Sequence, residues 1–167
     1  MTDLELQSIN VLWGLEKEIP HLIIGIYTEY FGIDALHVRE VIKYTKPVRV
    51  SNRVAFVEGL LNYHGDFVII LDFRKICNLE VPPYNRETVI VMLEVEGKKL
   101  GLIADKVIDF TGIPEGSITN NLNDLPPKKA GLLSGVSSVE ERPLFIIDLK
   151  KVVNLYETIV ANAANVT

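Results

Sequence analysis

The feature that most constrains this chain is a block that occurs twice. Ile69–Leu79 reads I-I-L-D-F-R-K-I-C-N-L, and Phe145–Leu155 reads F-I-I-D-L-K-K-V-V-N-L. The aspartates Asp72 and Asp148 are 148 − 72 = 76 residues apart, and Asn78 and Asn154 keep the same offset. Each block reads as a buried strand, an aspartate that caps a helix, and one apolar helix face. Upstream, Gly32–Val41 echoes Gly101–Phe110, and Gly59-Leu60-Leu61 echoes Gly131-Leu132-Leu133. The chain is therefore read as two copies of a strand-rich unit of about 70 residues. Long crossover helices between strands are missing, which argues against a parallel βαβ sheet and for two small closed barrels. Neither barrel has enough core to stand alone, so the two are expected to pack on each other around a shared core.

The local patterns fill in this frame. Thr2 and Glu5 have capping-box spacing, and Leu4, Val11, Leu12, Leu15 and Ile19 recur at helical spacing, predicting a helix that Pro20 ends. Strands are expected at His21–Thr28, Tyr30–Ile33 and Arg39–Tyr44, with Asp34 capping a short turn. Val57–Leu61 and Phe67–Leu71 flank a hairpin loop, Asn62–Gly65; Thr88–Val95 and Lys99–Ala104 flank the turn Glu96-Gly97-Lys98. Lys106–Phe110 is a further strand, Pro114–Ala130 is loop-like, and Gly131–Val139 and Pro143–Ile147 form a last hairpin. From Asp148, an apolar stripe of Leu149, Val152, Val153, Tyr156, Ile159 and Val160 predicts a C-terminal helix that frays from Ala161. The expected organisation is one domain: an N-terminal helix over 1–20, a first half over 21–80, a second over 86–155, and a helix end and tail over 156–167. Terminal strands are allowed to cross between the halves.

Composition supports a folded core and removes several function classes. Apolar residues make up 48% and the mean hydropathy is +0.23, which is not the composition of a disordered chain. The net charge of 17 − 22 = −5 argues against nucleic acid, which needs clustered cations. The apolar runs are about five residues long, far short of the ~20 a membrane helix needs. No secretory signal is evident, and a single cysteine, Cys77, permits no internal disulfide. There is no phosphate-binding glycine motif and no nucleophile elbow. The three isolated histidines, His21, His37 and His64, show no metal-ligand spacing. Cys77 lies on an apolar helix face and reads as a buried, inert thiol. Asp72 and Asp148 read as caps rather than as a catalytic carboxylate pair. No cofactor is implied, and the chain is read as a binding module rather than an enzyme.

Several segments then resemble a known family. E-Y-F-G-I-D-A-L-H-V-R-E-V-I (Glu29–Ile42) resembles a pattern of an aromatic, Gly-Ile-Asp, then Val-x-Glu-Val-Ile. F-V-E-G-L-L-N-Y-H-G-D-F-V-I-I-L-D-F-R (Phe56–Arg74) resembles G-x-x-N-L-R-G-x-x-x-P-V-x-D-L-R. Thr88–Met92 and Gly101–Val107 resemble the family's second-half strands. In order and spacing these match the CheW chemotaxis coupling proteins from about residue 20 to 155. The resemblance implies two SH3-like five-stranded β-barrel subdomains on a shared hydrophobic core. It also implies a non-catalytic cytoplasmic adaptor at receptor arrays, coupling chemoreceptor cytoplasmic tips to the regulatory domain of a CheA-type histidine kinase. Carried onto this chain, the receptor surface would involve Val38, Glu40, Asn62, Tyr63, His64, Gly65, Val89 and Val107. Without the resemblance, Val38, Val89 and Val107 read as ordinary core, and Glu40 as exposed and open to a partner. One departure stands out. The family has Leu-Arg before the loop glycine, where this chain has Tyr63-His64. That change leaves open a paralogue serving pilus motility or development. The other classes in play are an enzyme on a divergent barrel and a barrel that only self-associates. The N-terminal helix, with Trp13, offers either a barrel cap or a further partner site.

Overall fold

A computed structural model describes residues 2–12, 16–50, 54–79 and 81–164. In chain order it runs α1 (Asp3–Leu12), β1 (Glu18–Ile26), β2 (Glu29–Asp34), a 3-10 turn (Ala35–His37), β3 (Val38–Lys43), β4 (Val57–Tyr63), β5 (Asp66–Asp72) and α2 (Phe73–Ile76). The second half runs β6 (Val89–Val95), β7 (Lys98–Ala104), β8 (Lys106–Pro114), a 3-10 turn (Glu115–Ser117), α3 (Pro127–Ala130), β9 (Leu133–Val139), β10 (Arg142–Ile147) and α4 (Leu149–Ala164). The fold is mainly β, with two five-stranded sheets ordered β8-β1-β2-β10-β9 and β3-β6-β7-β5-β4.

These orders show what the repeat does. Strands β1–β5 correspond one by one to β6–β10, and both sheets have the same plan. In each, the first two strands of one repeat join the last three of the other. The exchange is reciprocal, so no sheet can be completed from one repeat alone. The chain crosses between sheets through the 3-10 turn Ala35–His37 and again at Asp105. The strands that close each exchange are parallel pairs, β10 with β2 and β5 with β7.

The register sharpens the repeat. Val38 and Val107 take equivalent places, opposite Leu93 and Ile24, at an offset of 107 − 38 = 69. That is the offset of the Gly32–Val41 and Gly101–Phe110 echo. Further along, Val48 bridges Leu60 and Thr119 bridges Val136, and here the offset is 136 − 60 = 76. The second repeat is thus longer by 76 − 69 = 7 residues between its third and fourth strands. The glycine echo is corrected by the same register. Gly59 corresponds to Gly135 (135 − 59 = 76), not to Gly131. The reason is steric: a Cβ on Gly59 would lie 2.1 Å from the Val48 carbonyl oxygen, and one on Gly135 2.8 Å from that of Thr119. Both glycines let the segment after the third strand approach the fourth.

Alternation along the strands divides the core. Leu22, Ile24, Leu71, Val91, Leu93 and Leu102 face a central cluster shared by both sheets, joined by Phe73 and Ile76 of α2 and Leu149, Val152 and Val153 of α4. Intervening residues fill each sheet's own interior: Ile23, Ile113, Leu144 and Ile146 in one, and Val68, Ile70, Ile90, Met92 and Ile103 in the other. The aspartate caps form as expected, Asp72 accepting from the Arg74 amide (3.0 Å) and Asp148 from the Lys150 amide (3.0 Å). The asparagines differ: Asn78 adopts φ 56 just past α2, whereas Asn154 lies inside α4.

The N-terminus departs from expectation. The capping box exists, with the Thr2 amide donating to Glu5 (2.9 Å) and the Glu5 amide to Thr2 Oγ1 (3.2 Å). However, α1 extends only to Leu12, and Pro20 lies within β1. Pairing with β2 begins at His21, so Pro20 has a neighbouring strand on one side only, where a missing N–H is tolerated. Leu4 and Leu12 of α1 are exposed. Trp13, Gly14 and Leu15 lie outside the described residues, as do the side chains of Val11, Ile159 and Val160.

One polar cluster sits inside this apolar frame. The Arg74 side chain is fully buried. It donates through Nε and Nη2 to the two oxygens of Asp72 (2.9 and 2.8 Å), and through Nη1 to Asp105 (3.0 Å) and the Pro82 carbonyl (2.8 Å). The Tyr84 ring lies 4.9 Å from the guanidinium and stacks on Tyr44. Burial alone would lower the Arg74 pKa, but the bonds to Asp72 and Asp105 outweigh it and the net shift is upward. Replacing Arg74 with Met would strand the buried Asp72 carboxylate, so Arg74→Met is expected to cost about 3–5 kcal/mol. Gly59→Ala is expected to cost at least about 1–3 kcal/mol, from its φ of 143 and the clash with Val48. Urea denaturation measures both; an unchanged midpoint in either variant would contradict these assignments.

Candidate partner-binding site

The fourth and third strands of the first repeat are the two outer edges of their sheet, and side chains bring them together. Tyr63 at the end of β4 donates its hydroxyl to Glu40 Oε2 on β3. His64 Nε2 lies 3.6 Å from the same oxygen. The Tyr63 and His64 rings meet edge to face at 4.2 Å. The Tyr63 bond, aided by His64, holds the Glu40 carboxyl below its ordinary pKa, and the same bond raises that of Tyr63. Glu40 follows a bulge at Arg39, where the register of β3 against β6 shifts. Arg39 is thereby turned to Glu94, at 2.8 Å.

The hairpin is tighter than the expected Asn62–Gly65 loop. Asn62 and Tyr63 belong to β4, opposite Phe67 and Asp66, and only His64 and Gly65 form the turn. Both have positive φ, 51 and 87. This is the mirror-image two-residue turn whose twist suits a hairpin. Asn62 supports it by accepting from the Gly65 amide at 3.2 Å.

The structure therefore gathers Glu40, Asn62, Tyr63, His64 and Gly65 at one sheet edge. Val38, Val89 and Val107 belong elsewhere. Val38 and Val89 are half-buried against the central core. Val107 lies on β8, an edge of the other sheet. Register relates them all the same, because residues paired across strands point to one face. Val38 and Val41 lie opposite Leu93 and Val91. Val107 and Phe110 lie opposite Ile24 and Leu22. All four partners belong to the central core, so β3 and β8 carry its two open rims. Val107 is 41% exposed, Phe110 63% and Val41 36%. Val41 and Phe110 escaped the sequence reading. The offset of 110 − 41 = 69 is their only signal, and it needs the strand register to be seen.

His21 is buried and its Nδ1 donates to the Ile19 carbonyl at 2.7 Å. Among the described residues no group of three or more His, Cys, Asp or Glu could hold a metal ion, and no helix is long and apolar enough to cross a membrane. What the surface offers is apolar rims and one positioned carboxylate, which defines a protein-binding module built on two interleaved sheets.

Comparison with known proteins agrees. The family model for the CheW-like domain matches residues 20–157. The chemotaxis protein CheW of Klebsiella aerogenes is 28% identical over 152 residues, covering 91% of this chain and 92% of that protein. CheW of Bacillus subtilis is 25% identical over 139 residues, covering 83% and 87%. The crystal structure of the scaffolding protein TtCheW from Thermoanaerobacter tengcongensis superposes with a TM-score of 0.74 at 23% identity, covering 80% of this chain and 86% of that one. The chain belongs to the CheW-like family of chemotaxis adaptors.

Cys77 follows from the same packing. Burial pushes its thiol up to about 12, so at pH 8 it stays protonated and a poor nucleophile. Iodoacetamide is expected to leave the native protein unmodified at pH 8 and to label it after unfolding in urea. Rapid labelling of the native form would show that the thiol is accessible.

Proposed function

We propose that this chain is a non-catalytic coupling adaptor that binds the cytoplasmic tip of a chemoreceptor and the regulatory domain of a CheA-type histidine kinase. The exposed rim of the shared core carries this reading, with Val107 and Phe110 on β8 and Val41 on β3. Apolar side chains that continue a core face into solvent are suited to cover by a partner. Family membership supplies the partner classes. Coupling by such a surface works through geometry: two partners held by one rigid body have a fixed relative placement, and kinase activity is biased by that placement. The reciprocal strand exchange makes the body rigid, since neither half can move without breaking the other's sheet. The site of action that goes with this role is the cytoplasmic face of a receptor array.

Calorimetric titration of the purified chain against each partner tests the proposal, with binding expected for both; absence of heat with either would overturn it. Phe110→Glu and Val107→Glu change exposed side chains. They are expected to weaken receptor-tip binding at least about tenfold, roughly 1.4 kcal/mol, with little change in thermal midpoint.

A further inference from the structure

A cleft of about 320 Å³ opens at one end of the sheet β8-β1-β2-β10-β9. Its walls are mostly isoleucine, and its polar lining includes His21, Asp34, Asp148 and Lys150. The same place in the other sheet is built differently. His21 pairs with Asp34 across β1 and β2, and the offsets 90 − 21 = 69 and 103 − 34 = 69 put the paired residues Ile90 and Ile103 in their positions. Both isoleucines are fully buried. There Asp72, the counterpart of Asp148, has both oxygens taken by the Arg74 guanidinium. Here Lys150, the counterpart of Arg74, turns away to Glu96 at 3.2 Å. The cleft thus lies where a polar pair replaces an apolar one and where a carboxylate lacks its internal cation.

The groups that line it keep acceptors in reserve. His21 is 2% exposed, and its Nδ1 donates to the Ile19 carbonyl. Its Nε2 has no partner among the described residues, and in the neutral ring that nitrogen offers a lone pair. Asp34 uses Oδ1 to cap the Leu36 amide at 2.9 Å. Asp148 uses Oδ1 for the Lys150 and Lys151 amides, at 3.0 and 3.2 Å. Among the described residues Oδ2 of each aspartate is uncommitted. The same caps close the start of α4, and the Val152 amide donates to the Asp148 carbonyl at 3.2 Å. The helix start is therefore capped from within rather than open to an anion.

We propose that this cleft is a binding site for a small organic cation, a primary ammonium or guanidinium group on an apolar stem. Asp34 and Asp148 supply the charge through the oxygens that their caps leave over. His21 accepts one N–H in a fixed direction, and the isoleucine walls hold the stem. A cationic donor aimed at a carboxylate in a partly desolvated cleft forms the stronger class of hydrogen bond. The volume falls within the range of small-ligand sites, roughly 300–1,000 Å³. The Arg74 guanidinium against Asp72 shows that this scaffold accommodates such a pair. The cleft shares no residue with the rims that carry Val41, Val107 and Phe110, so the site does not rest on the adaptor reading.

The test follows amide NMR shifts of the isotope-labelled full chain as n-butylammonium chloride is added. Sodium butyrate and n-butanol serve as the anionic and neutral analogues. Saturable shifts are expected at Asp34–His37 and Asp148–Lys150, with a dissociation constant of about 1 mM or below, which so small a probe can supply. Asp34→Asn and Asp148→Asn keep a capping oxygen and remove the charge. Each is expected to weaken binding about tenfold. His21→Ile installs the residue found at the equivalent place in the other sheet and removes the Nε2 acceptor; a loss of about tenfold or more is expected. Thermal midpoints show that the variants are folded, and the two asparagine variants decide the matter if His21→Ile is not. The absence of saturable shifts would overturn the site. So would equal shifts with butyrate or butanol, or unchanged affinity in both asparagine variants.

Discussion

A buried guanidinium ties the two repeats of this protein together. Arg74 belongs to the first repeat, and one of its two carboxylate partners, Asp105, sits where the second repeat crosses from one sheet to the other. Asp105 also accepts from the Tyr27 amide at 2.5 Å and donates its own amide to the Gly25 carbonyl at 3.0 Å. The charge cluster therefore pins the turn between β1 and β2, the start of α2 and the crossover into β8 to one point. A fully buried cation is expensive in isolation. It is tolerated here because four donor bonds are made with good geometry and an aromatic ring covers the guanidinium. Its bonds are directional, so the cluster fixes the relative placement of these three segments, which hydrophobic burial alone does not.

The two repeats share a backbone plan and differ in what they carry on it. At the position of Arg74 the second repeat has Lys150, which is exposed and reaches Glu96 at 3.2 Å. At the position of the His64-Gly65 turn it has Glu140-Glu141, both at positive φ without glycine. Inside the sheets, His21 stands where the other repeat has Ile90, since 90 − 21 = 69. One sheet thus carries a buried isoleucine where the other carries a buried, hydrogen-bonded histidine. Pseudo-symmetry supplies the scaffold, and its local violations make the two faces chemically distinct.

Much of the fold was legible in the sequence because its signals are local. The capping box, the aspartate caps and the turn residues each act within four positions, so the chain displays them directly. The apolar block around Asp72 and Asp148 announced the repeat for the same reason. The failures were non-local. Pro20 looked like a helix end because proline usually is one; only the one-sided pairing of β1 makes it acceptable in a strand. Gly59 was aligned with Gly131 by its neighbours in sequence, whereas the close approach of Val48 and Thr119 makes Gly135 its counterpart. Asp72 was recognised as a cap, but its second task, holding buried Arg74, depends on Asp105 and Pro82, which are distant in sequence.

The candidate site divides in the same way. The sequence alone indicated a hairpin with an unusual Tyr63-His64 pair and an exposed Glu40, and it indicated two related units with a common core. It did not show that Tyr63 reaches Glu40, because they lie on opposite edges of a curled sheet and are 23 residues apart. It also did not single out Val41 and Phe110, which look like any strand valine or phenylalanine. Composition and periodicity determine which side chains leave water, and that information is carried residue by residue. Which strands become neighbours is decided by packing between residues far apart in the chain, so only the tertiary structure revealed the reciprocal exchange and the surface it leaves open.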